Sequence, residues 1–472
     1  MAIRHDAPIP DPDISSTKGR EQRERVPRTV HADLADRPVG FDPVQVLIDQ
    51  GAGRVQSLLP VRYGRMAADR FSFLRGAAAV MAADIANGPS SELTVQLCGD
   101  AHLSNFGVFR SPERRLVFDV NDFDETHPGP FEWDVKRLAA SIAVAAESLN
   151  LTAGQQERAV LAAVGEYRST MRTFAAAKDL DVWYAHFDIE SNLGALGKRL
   201  SDEAMRRTGN MMAKAKTKDS RKAYDKLVEI VDGRPQIKAD PPLVVPIADL
   251  AMPPESGGPD SVYDFLFRIL TGYGETLPYD RQQLLTHFTP IDAARKVVGV
   301  GSVGTRCFVV LTLGRDGDDP FFLQVKEATA SVLEPYLGAS VFATPGQRVV
   351  AGQQITQATP DAFLGWFSEP TPPDQELRHF YVRQLYDGKA SADVASFDAD
   401  LLTDYVMICG WTLARAHARS GDRIAIASYL GKTDTFDRSI ASFALAYRDR
   451  NRRDHKALVD AISSGRVTAE NA

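Results

Sequence analysis

GVGSVGTRCFVVL, residues Gly299 to Leu311, sets three glycines in a G-x-G-x-x-G spacing directly ahead of a β-rich run. In a dinucleotide-binding unit the third glycine opens a helix, and the N-terminus of that helix holds the pyrophosphate. Here Gly304 leads instead into TRCFVVLTL, whose β-branched and aromatic residues read as a strand. The stretch is a glycine-rich turn between two strands, and the dinucleotide reading falls. The next strand-like run, FFLQVKEA (Phe321 to Ala328), follows across GRDGDD, which is hairpin chemistry, and it carries Lys326. A lysine embedded in such an apolar run needs an anionic partner, either phosphate oxygens or a carboxylate.

A second informative stretch lies upstream. CGDAHLSNFG, Cys98 to Gly107, contains Asp100, His102 and Asn105. One reading is the GDxH of metallophosphoesterases, where aspartate and histidine bind a metal. The other eight histidines of the chain lack the Gly-Asn-His or His-x-His contexts that class requires. The alternative reading takes Asp100 and Asn105 as the D-x-x-x-x-N pair of a kinase catalytic loop, with aspartate as proton acceptor and asparagine as magnesium ligand. VFDVNDFDE then offers Asp119, Asp122 and Asp124 after a strand. A hard cation such as Mg²⁺ takes one or two carboxylates plus phosphate oxygens, so Asn105, Asp122 and Asp124 are its candidate ligands. On this reading the glycine turn (Gly299, Gly301, Gly304) and Lys326 resemble the phosphate-binding lobe of a kinase, and ATP is the expected cofactor.

The upstream block resembles the aminoglycoside and choline phosphotransferase branch of kinase-like enzymes. Gly99-Asp100 and Asn105 match its loop, Cys98 stands where its first histidine would be, and Asp122-Phe123-Asp124 matches its metal motif. GPFEWDVKRLAAS resembles the element that follows, with Asp134 at the structural aspartate, and WTLARAHARSGD resembles its L-A-x-x-H helix. From about Arg54 to Asp454 the chain is similar to the bacterial domain-of-unknown-function 2252 family. The stretches that carry this likeness include RYGRMAADRFSFLRG, CGDAHLSNFG, VGVGSVGTRCFVVL, FLQVKEA and GQRVVAGQ. That resemblance implies a kinase-like fold and no particular reaction.

In an ordinary kinase the glycine turn and lysine precede the catalytic loop, whereas here they follow it. The expected fold is therefore α+β: a two-lobed protein-kinase-like fold in permuted order, with a mostly helical catalytic lobe first and an antiparallel-sheet phosphate-binding lobe second. Such reordering is tolerated where the original termini lie close together. The expected divisions are an arm, disordered or hugging the surface, at 1–38; a helical lobe bearing the loop at 39–240; a Pro/Gly-rich connector at 241–262; a β-rich lobe at 263–390; and completing helices at 391–472. Residues 150–235 read as mostly helical, with a lysine-rich part. FYVRQL is the expected strand joining the lobes, its backbone available to an adenine.

The acidic partner of Lys326 is sought first in Glu334 and then in Glu327, which a strand's alternation turns to the other face. Without such a partner the outcome is a noncatalytic nucleotide-binding protein, a pseudokinase. Arg62, Arg65 and Arg75 are read either as contacts to phosphate or an acidic substrate, or as an internal salt-bridge network with acids such as Asp119 and Asp124. His102 is read as orienting the loop. Transfer of a phosphoryl group and transfer of the nucleotidyl portion stay open, as do the acceptor, a small molecule or a protein, and the oligomeric state.

The 472 residues carry a net charge of −7, 44% hydrophobic and 25% charged residues, the values of an ordinary globular chain with no global attraction to nucleic acid or anionic membrane. Cys98, Cys307 and Cys409 form no C-x-x-C pair, so neither a disulfide framework nor a zinc site is expected. The N-terminal stretch has no apolar run, and the expected location is the cytoplasm.

Overall fold

The computed structural model describes residues 11–189, 191, 206, 209–210, 212–213, 220–250, 259–371, 376–385 and 388–470. The chain is a mixed α/β protein, 52% helical and 18% strand, and its sheets are antiparallel. The largest has six strands in the order Gly365–Thr371, Glu376–Gln384, Pro320–Ala328, Cys307–Leu313, Thr289–Lys296 and Val244–Pro246. Period-2 alternation explains how this sheet is covered on both faces. Val310, Leu323 and Val382 enter one apolar cluster, while Val309, Leu311 and Phe322 enter another. The glycine turn joins the strands Thr289–Lys296 and Cys307–Leu313, as read from the sequence.

The Cys98–Gly107 loop sits elsewhere, between Thr94–Leu97 and Phe106–Arg110. Phe106–Arg110 pairs with Leu116–Val120 in a four-stranded sheet, and Thr94–Leu97 pairs with His127–Pro130. Beneath them lies the main apolar core, built on the helices Glu132–Ser148, Ala153–Ala176, Ala399–Ser420, Arg423–Leu430 and Thr435–Ser463. The C-terminal helices thus pack on the segment that carries the loop, although some 300 residues separate them in the chain.

Two local expectations change, and a third is narrowed. Of the two readings of the N-terminal arm, the surface-hugging one holds for Pro12–Arg25, a helix capped by Asp11 that lies so close to Arg423–Leu430 that a Cβ on Gly19 would overlap the Ala425 carbonyl. Within the region read as mostly helical, Val228–Val231 and Arg234–Ile237 form a hairpin. Its turn is Asp232-Gly233, both at positive φ, the conformation that Asp-Gly favours in two-residue hairpins. Of the 241–262 connector, Val244–Pro246 adds an edge strand to the large sheet and residues 251–258 lie outside the described residues. The first part of the lysine-rich run, 214–219, also lies outside them.

A close helix crossing is set by Gly410, where a Cβ would overlap the Ala163 carbonyl oxygen. Helix propensity alone favours alanine over glycine by about 1 kcal/mol. Overpacking of this backbone contact outweighs that gain, so Gly410→Ala is expected to lose roughly 1–3 kcal/mol in urea unfolding. A net gain in stability would show that the two helices have room to separate.

Candidate functional site

The loop is built around the carboxylate of Asp134, near the start of the helix Glu132–Ser148. It accepts hydrogen bonds from the backbone N–H groups of Cys98 (2.6 Å) and Gly99 (3.0 Å). His417 Nε2 lies 3.2 Å from the same carboxylate, and Tyr167 Oη lies 2.8 Å from His417 Nδ1. Gly99 takes φ +85°, and a Cβ there would overlap the Glu125 carbonyl, so only glycine fits between loop and acidic turn. The loop then closes on itself. Asn105 Nδ2 donates to the Asp100 carbonyl (2.7 Å), and the Asn121 N–H donates to the Asn105 carbonyl (2.7 Å).

Arg137, one helical turn beyond Asp134, donates through Nε to Asp100 Oδ1 at 2.7 Å and through a terminal nitrogen to the Leu74 carbonyl at 2.7 Å. One oxygen of Asp100 is thereby fixed. His102 Nε2 stands 3.7 Å from the other, Oδ2. Burial lowers the His102 pKa to about 4, so the imidazole is neutral at pH 7 and adds no charge beside Asp100; its Nδ1 has no hydrogen-bond partner among the described residues.

Lys326 comes in from the large sheet. Its side chain is 3% exposed, and its amine reaches Asp122 Oδ1 at 3.2 Å and Asp124 Oδ2 at 2.6 Å. Tyr381, opposite Lys326 in strand register, donates its hydroxyl to Asp124 Oδ1 at 2.6 Å. Burial works against ionisation of Asp122, but Lys326, Arg383 and Lys389 outweigh it and hold the carboxyl well below the usual range. Lys326 is likewise kept protonated, against its burial, by the two aspartates.

These contacts correct two expectations. The acidic partners of Lys326 are Asp122 and Asp124, not Glu334. Glu334 is held by the Ser331 N–H at 3.1 Å and stands 3.8 Å from Arg348. Glu327 points away, as strand alternation requires, to Arg306 at 3.1 Å. Nor do the three arginines form a network with Asp119 and Asp124, because Asp119 pairs with Arg415. Arg62 is fully buried on the carbonyls of Leu47 and Gly76 and on Gln50. Arg65 donates to the Gly299 carbonyl at 2.8 Å. Arg75 alone of the three lines the cavity, and it makes no hydrogen bond or ion pair among the described residues.

The glycine turn is held from outside. Arg54 donates to the carbonyls of Gly301 (2.7 Å) and Val303 (2.6 Å), and the Val55 N–H donates to the Gly304 carbonyl (2.8 Å). Val300 and Val303 are buried in apolar clusters formed with the helices Pro43–Gly51 and Leu59–Ala67. A cavity of about 310 Å³ brings together Asp100, Asn105, Asp122, Asp124, Gly299 and Gly301, with His102 and Arg75 at its wall. An adjoining cleft of about 430 Å³ contains Lys326, Asp122, Gly299 and Gln384. Gly304 lines neither and instead packs on Arg54.

Fold and site together define a mixed α/β protein in which a strand lysine and a glycine turn meet an acidic loop. The chain belongs to a family described as an uncharacterized protein conserved in bacteria (DUF2252), whose family model matches residues 54–461. No curated protein and no solved structure matches the chain. No helix among the described residues is long and apolar enough to cross a membrane.

Sequence reasoning missed Arg137, Arg54, Tyr381 and Glu125. Only Arg137 carried a signal, its spacing of three from Asp134, which places both on one helix face. Glu125 lines the main cavity and accepts from the Val332 N–H at 2.7 Å, and burial pushes its pKa up to about 7. Below pH 4.5 the carboxyl is neutral in both folded and unfolded chains. Between pH 4.5 and 7 the unfolded chain ionises first, so folding loses stability as pH rises. Glu125→Gln is therefore expected to leave stability unchanged at pH 4 and to raise it at pH 8, by up to about 3 kcal/mol. Urea unfolding at the two pH values reads the difference, and an equal effect at both would contradict it.

Proposed function

We propose that this chain is an ATP- and Mg²⁺-dependent phosphotransferase acting in the cytoplasm on a hydroxyl-bearing acceptor, with a kinase-like arrangement in permuted order. The observation that carries this reading is the meeting of Lys326 with Asp122 and Asp124 beside a cavity shared by Asp100, Asn105 and the glycine turn. Residues from four separate stretches converge, and each has the chemistry its position needs.

The donors that fit magnesium are Asp122 Oδ2, which accepts no hydrogen bond among the described residues, and the Asn105 amide oxygen, whose nitrogen is engaged with the Asp100 carbonyl; both Asp124 oxygens already accept from Lys326 and Tyr381. When bound, Mg²⁺ supplies charge neutralisation on the nucleotide phosphates. Lys326 and the backbone of Gly299 and Gly301 are assigned to the same phosphates. Asp100, fixed through Oδ1 by Arg137, offers Oδ2 to the acceptor hydroxyl. The acceptor oxygen forms a bond to the terminal phosphorus, the bond from that phosphorus to its bridging oxygen breaks, ADP leaves, and the hydroxyl proton passes to Asp100. Positioning and electrostatics supply most of such a rate enhancement.

Thermal and urea denaturation with Mg-ATP test the reading. Nucleotide at one hundred times its dissociation constant is expected to stabilise the fold by about 2.7 kcal/mol. Asp100→Asn is expected to keep that stabilisation and to cut ATP consumption by roughly 10²–10⁴-fold. Asn105→Ala is expected to weaken the magnesium-dependent part of binding. No stabilisation by any nucleoside triphosphate would overturn the reading. Stabilisation with no ATP consumption, unchanged in Asp100→Asn, would assign the chain to the noncatalytic nucleotide-binding class.

A further inference from the structure

The cavity of about 310 Å³ beside the glycine turn is lined by five acids: Asp100, Asp122, Asp124, Glu125 and Glu327. A terminal phosphate entering it brings more negative charge, so its placement depends on which cations are free to meet it. In the adjoining cleft Lys326 is committed to Asp122 and Asp124. On the wall itself Arg54 is committed to the carbonyls of Gly301 and Val303, and His102 is neutral at pH 7. Arg75 remains. Among the described residues it is the cation of this wall that makes no hydrogen bond and no ion pair.

The backbone that carries Arg75 is firmly held. Arg137, which holds Asp100 through Nε, donates to the Leu74 carbonyl at 2.7 Å, and Arg62 donates to the Gly76 carbonyl at 3.3 Å. The carbonyls on either side of Arg75 are thus gripped by buried guanidinium groups, one of which also fixes the assigned proton acceptor. The glycine turn closes on the same point. A Cβ on Gly301 would stand 3.1 Å from the Arg75 carbonyl oxygen, and Arg65 donates to the Gly299 carbonyl at 2.8 Å. Arg75 is therefore rooted at a set position relative to both Asp100 and the turn, while its side chain stands in the field of Asp100 and Asp122. A donor held this way needs no backbone ordering when its ligand arrives.

We propose that Arg75 binds the terminal phosphate of the nucleoside triphosphate and stabilises that phosphoryl group during its transfer. This role rests on the nucleotide reading above. Asp100 is assigned to the oxygen that attacks the terminal phosphorus, and Asp122 to the metal on the same phosphate chain, so the group lying between them is the one transferred. A guanidinium presents a planar fork to two of its oxygens and gains strength as charge shifts during transfer. A diphosphate lacks this group, which separates the terminal phosphate from an anion carried by the acceptor.

Calorimetric titration of the full chain with Mg²⁺ and either ADP or β,γ-imido-ATP, which resists transfer, tests the role. Arg75→Ala is expected to weaken imido-ATP about tenfold, the typical contribution of a charged hydrogen bond, and to leave ADP unchanged. Arg75→Lys keeps the aliphatic stem and the charge but not the fork, and is expected to weaken imido-ATP by a smaller factor, again with ADP unchanged. ATP consumption is expected to fall roughly 10³-fold in Arg75→Ala. Unchanged ADP affinity reports that each variant is folded with its cleft intact.

Imido-ATP affinity unchanged in Arg75→Ala, or equal weakening of both nucleotides in both variants, would overturn the assignment. Orthophosphate binding that is lost in Arg75→Ala while imido-ATP affinity stays would give the guanidinium to an anionic acceptor, and would overturn it too. A native chain that binds neither nucleotide would sink the nucleotide reading itself, a failure seen before any substitution is made.

Discussion

An ammonium buried between two carboxylates, that of Lys326 with Asp122 and Asp124, is the constraint to which the site's other parts answer. Moving an unpaired ammonium out of water costs several kcal/mol, and removing one partner of such a group leaves the rest as an uncompensated buried charge. The lysine lies on a central strand of the large sheet, and the aspartates lie on the turn after Leu116–Val120, some 200 residues earlier. Neither segment can bury its charge without the other. The Tyr381 hydroxyl on Asp124 and the Arg383 guanidinium on the Asn121 carbonyl extend the same seam along the neighbouring strand. The glycine turn hangs from this sheet, so fixing the seam also fixes where the turn stands relative to Asp100.

The turn is not left to find its conformation by itself. Glycines give it the backbone freedom to curve, at +65° for Gly299 and +89° for Gly304, but that freedom carries an entropic cost when a ligand orders it. Arg54, Arg65 and the buried Val300 and Val303 impose the order during folding instead. A ligand meeting this turn binds to backbone already set in place, which is the physical meaning of preorganisation. The helices Pro43–Gly51 and Leu59–Ala67, far from the turn in sequence, thus belong to its structure.

The legible parts were those with local signals. The strand after Gly304 and the hairpin through GRDGDD follow from short-range pattern, and each forms near where the sequence puts it. The Asp100/Asn105 spacing was also local, since one side chain closes the loop on the other's carbonyl. The partners of Lys326 are not legible because Glu334 is the acid near it in sequence, whereas Asp122 and Asp124, which it meets, sit on a turn some 200 residues away. The Asp-Gly hairpin at 232–233 was a readable signal outweighed by helical surroundings. Arg54 and Tyr381 had no signal at all: an arginine that grips carbonyls and a tyrosine in register with a lysine are defined only once strands have paired.

The arrangement of positive charge separates structural cations from available ones. Arg62, Arg65 and Arg54 direct guanidinium groups to backbone carbonyls, Arg137 is taken by Asp100, and Arg415 by Asp119. Their positive charge is therefore committed to shaping the loop and the turn. Arg75 differs. It lines the cavity with Asp100 and Asp122, its buried Nε has no hydrogen-bond partner, and burial lowers its pKa even though those acids pull the other way. A guanidinium in this state is held in the cavity by the acids' field without being satisfied by their oxygens. It gains most from a ligand that brings oxygen acceptors of its own. Arg75 is thus the arginine of the three whose buried Nε folding leaves without an acceptor.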